Sequence, residues 1–271
     1  MKIMSWNMGL RSARSQKIQE IWEYLEKQNP DIAFLQEAKV PKHIYRTHTI
    51  MEDSTYRKAK SCILTKNQKA KIFSLEELNE DLSDAIASFV GQNVAVSFEL
   101  QDSGEIFFIS VHTSSKAIDH EFQTREVRKA TGSPRWQGDK VWPSDVLFSA
   151  FKQLPDSGKK FIIGGDINQS RLMDSTMNYG ESVSAWFKNR EKEGIIDCFR
   201  LFHEEEQRTW FRYQKRYKKW DAPYQLDHFF CDIETSDKIT KCWVDREAAE
   251  RGLSDHAPIF MEMNEQLLSA N

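Results

Sequence analysis

Four short apolar runs in this chain stop on, or just before, a polar side chain of a chemically active type. KIMSWN (2–7) closes on Asn7 and DIAFLQE (31–37) on Glu37. EIFFISV (105–111) is followed at once by His112, and KFIIGGD (160–166) ends on Asp166 with Asn168 two residues beyond. Runs of this kind suit buried strands whose ends open onto solvent or a site. Near the C-terminus, Asp227 sits inside the strand pattern YQLDHFF, and Asp255-His256 precedes the strand pattern APIFMEM. A reaction centre gathered from strand ends in distant parts of a chain is what a mixed α/β scaffold provides.

The remaining pattern sets the expected architecture. Ile18, Ile21, Trp22 and Leu25 recur at helical spacing until Asn29-Pro30 stops them. SCILTK (61–66) and KIFSL (71–75) read as a strand pair, and VAVSFEL (94–100) and EIFFISV flank Gln-Asp-Ser-Gly, a hairpin signal. Residues 117–130, 144–154 and 181–193 read as helices, with a Gly-, Pro- and Trp-rich loop over 131–143. The last third, including TWFRYQ and ITKCWV, reads mostly as strands. Hairpins outnumber strict strand–helix–strand alternation, which predicts two packed sheets covered by helices. No repeat, linker or one-sign charge block divides the 271 residues, so the expectation is a single domain over 1–271.

Composition excludes several classes. With 39% apolar and 12% aromatic residues the chain has the material for a core, which excludes collagen-like or wholly disordered chains. The net charge of −3 advertises no polyanion partner, so nucleic acid would need a local basic patch. Cys62, Cys198, Cys231 and Cys242 are scattered without a CxxC pair, which argues against a zinc site or disulfide framework and predicts a reducing, cytoplasmic setting. No apolar run approaches the roughly 20 residues that span a bilayer, and the N-terminus lacks the features of a signal peptide. No membrane and no obligate protein partner is expected. GxGxxG and GxxxxGK[ST] are both missing, so IIGGD is not a nucleotide-binding turn.

Taken singly, the polar strand ends have plain explanations. Asn7 suits a turn, Glu37 a solvated charge, His112 a satisfied core histidine, and Gly-Gly-Asp-Ile-Asn an Asx-capped turn. Taken together, in one order, they are hard to attribute to turns. In that order the segments SWNMG, DIAFLQE, ISVHT, IIGGDIN, IIDCFR, RTWFRY, QLDHFF and LSDHAP resemble the endonuclease/exonuclease/phosphatase superfamily, from Lys2 to about Met263. That superfamily includes deoxyribonuclease I, exonuclease III and the inositol and sphingomyelin phosphodiesterases.

The resemblance implies an α/β fold: a four-layer α/β/β/α sandwich of two mixed, mainly antiparallel sheets flanked by helices. It implies that Asn7 touches the scissile phosphate and supports a metal site, and that Glu37 is the main magnesium ligand, with Asp255 near the metal. It implies that Asp166 and Asn168 orient or deprotonate water and hold the phosphate. Asp227 then supports His256, and His112 matches a histidine of the deoxyribonuclease I-like branches. IIDCFRLFH followed by RTWFRY is instead similar to exonuclease III-type sequences. Gly9 stands where many magnesium nucleases of the family carry an acidic residue.

The implied chemistry is Mg²⁺-dependent (or Mn²⁺-dependent) hydrolysis of DNA phosphodiesters, with a phosphorylated small molecule or lipid head group as the alternative substrate. Phosphoryl transfer is chiefly positioning and charge stabilisation, which a hard cation with one or two carboxylates supplies. RTWFRYQKRYKKW (208–220) places six basic residues among five aromatics in a chain of net −3. Trp210, Arg212, Lys215, Arg216, Lys218 and Lys219 are therefore the expected nucleic-acid contacts. Arg135, Trp136, Lys140 and Trp142 in the 131–143 loop form a candidate second contact.

Overall fold

The computed structural model describes residues 1–10, 15–52, 60–66, 70–89, 91–132, 140–214 and 219–267. The strands are β1 (Lys2–Asn7), β2 (Ile32–Ala38), β3 (Thr49–Glu52), β4 (Lys60–Thr65), β5 (Lys71–Phe73), β6 (Asn93–Leu100), β7 (Gly104–His112), β8 (Phe161–Asp166), β9 (Ile196–Asp197), β10 (Tyr213–Gln214), β11 (Lys219–Trp220), β12 (Asp227–Cys231), β13 (Ile239–Val244) and β14 (Ile259–Met263). Two six-stranded mixed sheets result, ordered β13-β14-β1-β2-β4-β3 and β5-β6-β7-β8-β12-β9. Among the described residues the β1–β2 and β7–β8 pairs are parallel and the other pairings are antiparallel.

Strand alternation sorts the apolar residues into three cores. Ile3, Phe34, Phe108, Ile162 and Phe229 meet between the sheets. Met4, Trp6, Ala33 and Leu35 face the helix Ser15–Gln28, whose Ile21, Trp22 and Leu25 are buried against them. Phe107, Ile109, Ile163 and Phe230 face the helices Pro143–Phe151 and Ser182–Lys192. The layers are helix, sheet, sheet, helix, which is the expected four-layer sandwich.

Local signals placed most of the elements. Asn29 ends the first long helix at φ +49° in the left-handed region that asparagine tolerates, and Pro30 follows. Three expectations are corrected. The segments 61–66 and 71–75 do not pair: β4 lies between β2 and β3, while β5 pairs with β6 in the other sheet. The helix expected over 117–130 is a 3-10 turn (His120–Phe122) and a helix starting only at Arg125, because the Thr124 side chain accepts from the Val127 N–H and caps it there. TWFRYQ contributes only the two-residue β10, in a β10–β11 hairpin separate from both sheets. All four cysteines are free and buried. Among the described residues no helix is long and apolar enough to cross a membrane.

Candidate active site

The face between the sheets turns polar toward one end. Along β1 the inward sequence is Ile3, Ser5, Asn7; along β7, Phe108, Ser110, His112; along β8, Ile162, Gly164, Asp166; and β12 contributes Phe229 and then Asp227. The period-2 alternation that buries the apolar members also points the polar ends inward. A first polar layer consists of Gln36, whose Nε2 donates to Ser110 Oγ (3.1 Å) and Ser5 Oγ (3.4 Å). The candidate site is the next layer out.

Glu37 reaches that layer by breaking the alternation. Leu35 and Ala38 both face the helix-covered side although three residues apart, and the β2–β4 register slips between them. Glu37 sits at φ +50°, a left-handed conformation uncommon outside glycine and asparagine. The extra residue re-aims its carboxylate, as β-bulges do beside active sites. Glu37 Oε1 lies 3.6 Å from His112 Nε2.

Asp166 is where the groups converge. Asn7 Nδ2 donates to its Oδ2 at 3.0 Å, and the Asn168 N–H donates to its Oδ1 at 3.0 Å. His256 Nε2 and His112 Nε2 lie 3.8 and 3.9 Å from the same Oδ2. Register places Asp227 directly across from Asp166. His256 Nδ1 donates to Asp227 Oδ2 at 2.8 Å, which leaves Nε2 aimed at the cleft. Asn168, at φ +51°, donates through Nδ2 to the Thr113 carbonyl. Asp255 stands exposed at the mouth, beside Gly9. Gly9 is at φ +60°, and a Cβ there would come within 3.4 Å of Asp255 Oδ1, so the Asp255 carboxylate occupies the space next to that backbone.

The electrostatics follow from burial. Desolvation pushes the Asp166 carboxyl up to about 7; the charge of His256 and the hydrogen bonds from Asn7 and Asn168 pull against that, and Asp227 adds to it. Burial disfavours the charged form of His256, yet Asp227 and Asp166 outweigh it and hold the imidazole up at about 10. At neutral pH His256 is a cation between the carboxyl groups of Asp227 and Asp166.

Three supporting residues were missed from sequence. Ser254 Oγ donates to the Asn7 carbonyl (2.8 Å) and accepts from the His256 N–H (3.1 Å), tying β1 to the His256 loop. Thr209 Oγ1 accepts from the N–H groups of Leu226 and Asp227, while its carbonyl accepts from the Ala257 N–H. Gln36 links β1, β2 and β7 as above. Ser254 adjoins Asp255 in LSDHAP; nothing in the sequence singles out Thr209, whose contacts are all with backbone far along the chain.

A family model described as the Endonuclease/Exonuclease/phosphatase family matches residues 4–256. The chain belongs to that family. Its matched span contains every residue converging here, from Asn7 to His256. An exodeoxyribonuclease of Streptococcus pneumoniae is 22% identical over 97% of this chain and 100% of its own. A DNA-(apurinic or apyrimidinic site) endonuclease of Dictyostelium discoideum is 25% identical over 96% of this chain and 69% of its own. The catalytic domain of Xenopus laevis APE2 superposes with a TM-score of 0.69 at 19% identity, covering 100% of this chain and 94% of that one. As a member of the endonuclease/exonuclease/phosphatase family the chain is a hydrolase of phosphoric esters.

The expected substrate contacts are placed in part. Trp210 is joined by a backbone bridge to His256, and its ring stacks on Tyr224 with centroids 6.2 Å apart. Arg212 is exposed at the base of the β10–β11 hairpin, where its carbonyl accepts from the Asp221 N–H. The Lys219 backbone pairs with Gln214. Lys215, Arg216 and Lys218 lie outside the described residues, as do Arg135 and Trp136. The hairpin therefore leaves the site directly from the strand-like segment beside His256.

Proposed function

We propose that this protein is a Mg²⁺-dependent nuclease that hydrolyses DNA phosphodiester bonds, with Asn7, Glu37, His112, Asp166, Asn168, Asp227, Asp255 and His256 as its reaction centre. The observation that carries this is the convergence of both imidazoles and the Asn7 amide on the single carboxylate of Asp166. The nuclease names of the relatives favour DNA over a lipid or small-molecule ester.

The residues suit a magnesium ion. Among the described residues no group of three or more His, Cys, Asp or Glu side chains forms a dedicated metal cluster, so a closed zinc-type cage is not what this site offers. The donors at the cleft are hard oxygens: the re-aimed Glu37 carboxylate, the exposed Asp255 carboxylate and the Asn7 amide oxygen, which among the described residues accepts from the Gly9 N–H. Mg²⁺ takes one or two carboxylates and completes its shell with water and substrate phosphate. When bound, it would offset negative charge on the phosphoryl oxygens.

The chain's own groups supply the rest. Asp166 accepts a proton from the attacking water, a task suited to a carboxylate whose affinity for protons is raised toward neutrality. His256, kept cationic and oriented by Asp227, faces the charge that builds on the phosphoryl oxygens. Asn168 and His112 hold the phosphate so that the new P–O bond forms opposite the one that breaks.

The test is a substrate panel in Mg²⁺, Mn²⁺ or EDTA: circular and linear DNA, RNA, a phosphoinositide and sphingomyelin. Metal-dependent DNA cleavage is expected, and nicking of the circle would establish endonuclease action. Turnover of the lipid head groups alone would overturn the DNA reading.

The basic hairpin supplies a second prediction. Neutralising Lys215, Arg216, Lys218 and Lys219 should weaken DNA binding, and each lost phosphate contact should flatten the slope of log affinity against log salt by about 0.9. Unchanged binding in the quadruple variant would remove this segment from the substrate path.

A further inference from the structure

The turn that follows Asp166 is held from behind by a polar network that the chemistry above does not use. Asn168 occupies the left-handed region at φ +51°, a conformation that asparagine tolerates better than most residues. The two residues after Gln169 meet one carboxylate. Ser170 Oγ donates to Glu206 Oε2 at 2.6 Å, and the Arg171 N–H donates to Glu206 Oε1 at 2.8 Å. Glu206 is itself fixed. The Arg171 guanidinium reaches back to it at 3.4 Å, pairs with Asp197 at 3.0 Å, and lies over the Phe187 ring at 3.8 Å from the centroid. Beside this clamp the buried His228 Nε2 bonds the carbonyls of Gln169 and Gln225, each at 3.0 Å.

Glu206 also belongs to the segment that supports the other half of the site. Three residues on, Thr209 holds the backbone of Asp227 and Ala257, and Trp210 pairs with His256. Next to Glu206, the Gln207 N–H donates to Gln225 Oε1. One carboxylate thus joins the turn bearing Asn168 to the chain bearing the supports of Asp227 and His256. Its side chain is only 10% exposed, so its hydrogen bonds are poorly replaced by water.

We propose that Glu206 is a positioning residue for phosphodiester hydrolysis, acting through Ser170 and Arg171 to hold Asn168 in its left-handed conformation beside Asp166, an inference that rests on the phosphodiesterase reading above. Glu206 touches no reacting atom. Its contribution is the geometry of the turn, and loss of that geometry affects the transition state more than substrate binding.

The experiment is a double-mutant cycle on the full chain, with DNA cleavage in Mg²⁺ measured under single-turnover and steady-state conditions. Glu206→Ala should lower kcat by roughly 10–100-fold, the range seen when the partner that orients a reacting group is removed, with KM little changed. Glu206→Gln, which keeps an acceptor of the same shape, should recover part of that loss. Glu206→Ala added to Asn168→Ala should reduce the rate no further than Asn168→Ala alone, a saturation that general destabilisation would not produce. Full kcat in folded Glu206→Ala, or a double variant that loses the product of the two single effects, would overturn the proposal. Should Glu206→Ala not fold, Glu206→Gln and Ser170→Ala enter the same cycle with the same two outcomes. Failure of the wild-type protein to cleave any phosphodiester would instead overturn the underlying reading, and this inference with it.

Discussion

Asp166→Ala is expected to reduce phosphodiester cleavage by about 10²–10⁴-fold, the share that a positioned proton acceptor usually contributes. The fold should survive. The Asp166 carboxyl is buried against Asp227, and desolvation makes its ionisation costly, so its removal relieves an unfavourable charge at neutral pH. The measurement is specific activity beside a thermal melt in EDTA, with activity lost and the melting temperature kept. His256→Ala should behave the same way in activity, since it removes the cation proposed to face the phosphoryl oxygens and leaves Asp227 without its 2.8 Å partner. Full activity in either folded variant would refute the assigned roles.

Gly164→Ala should be strongly damaging although it lies outside the site. Gly164 lies on β8 in the face between the sheets, and a Cβ there would sit 2.2 Å from Phe34 Cδ2 and 2.6 Å from Phe229 Cε1. Both rings are fully buried, and Phe34 also packs on Phe108 and Phe229. Neither ring can swing away without opening the sheet–sheet core, so one methyl acts as overpacking of about 3 kcal/mol. For a chain of this size that corresponds to a fall in melting temperature of roughly 6–12 °C. Activity should decline as well, because Asp166 is two residues along the same strand. A Gly164→Ala protein with an unchanged melting temperature would show that the sheets are spaced differently from this structure.

The convergence of the candidate residues was legible because they obey the same rule as the core. Asn7, His112 and Asp166 continue the alternation that buries Ile3, Phe108 and Ile162, so an apolar run ending in a polar side chain already points that side chain between the sheets. Glu37 was named for its motif and not for its geometry, since the bulge that re-aims it depends on pairing with β4. Strand partnership itself was hidden. SCILTK and KIFSL are adjacent in sequence and equally strand-like, yet they enter different sheets, a choice made by the cores they face. Thr209, Ser254 and Glu206 were missed for a related reason: each acts through a hydrogen bond to a group 17 to 247 residues away, and a single sequence carries no trace of those distant partners.

The central claim is that the converging strand ends hold one divalent ion and one phosphate. Anomalous diffraction from crystals soaked in Mn²⁺ with a short DNA duplex tests it most directly. A manganese peak at the Glu37 carboxylate, with a DNA phosphate against His112, Asn168 and His256, is the predicted result. Manganese bound elsewhere, or DNA seated away from Asp166, would contradict it.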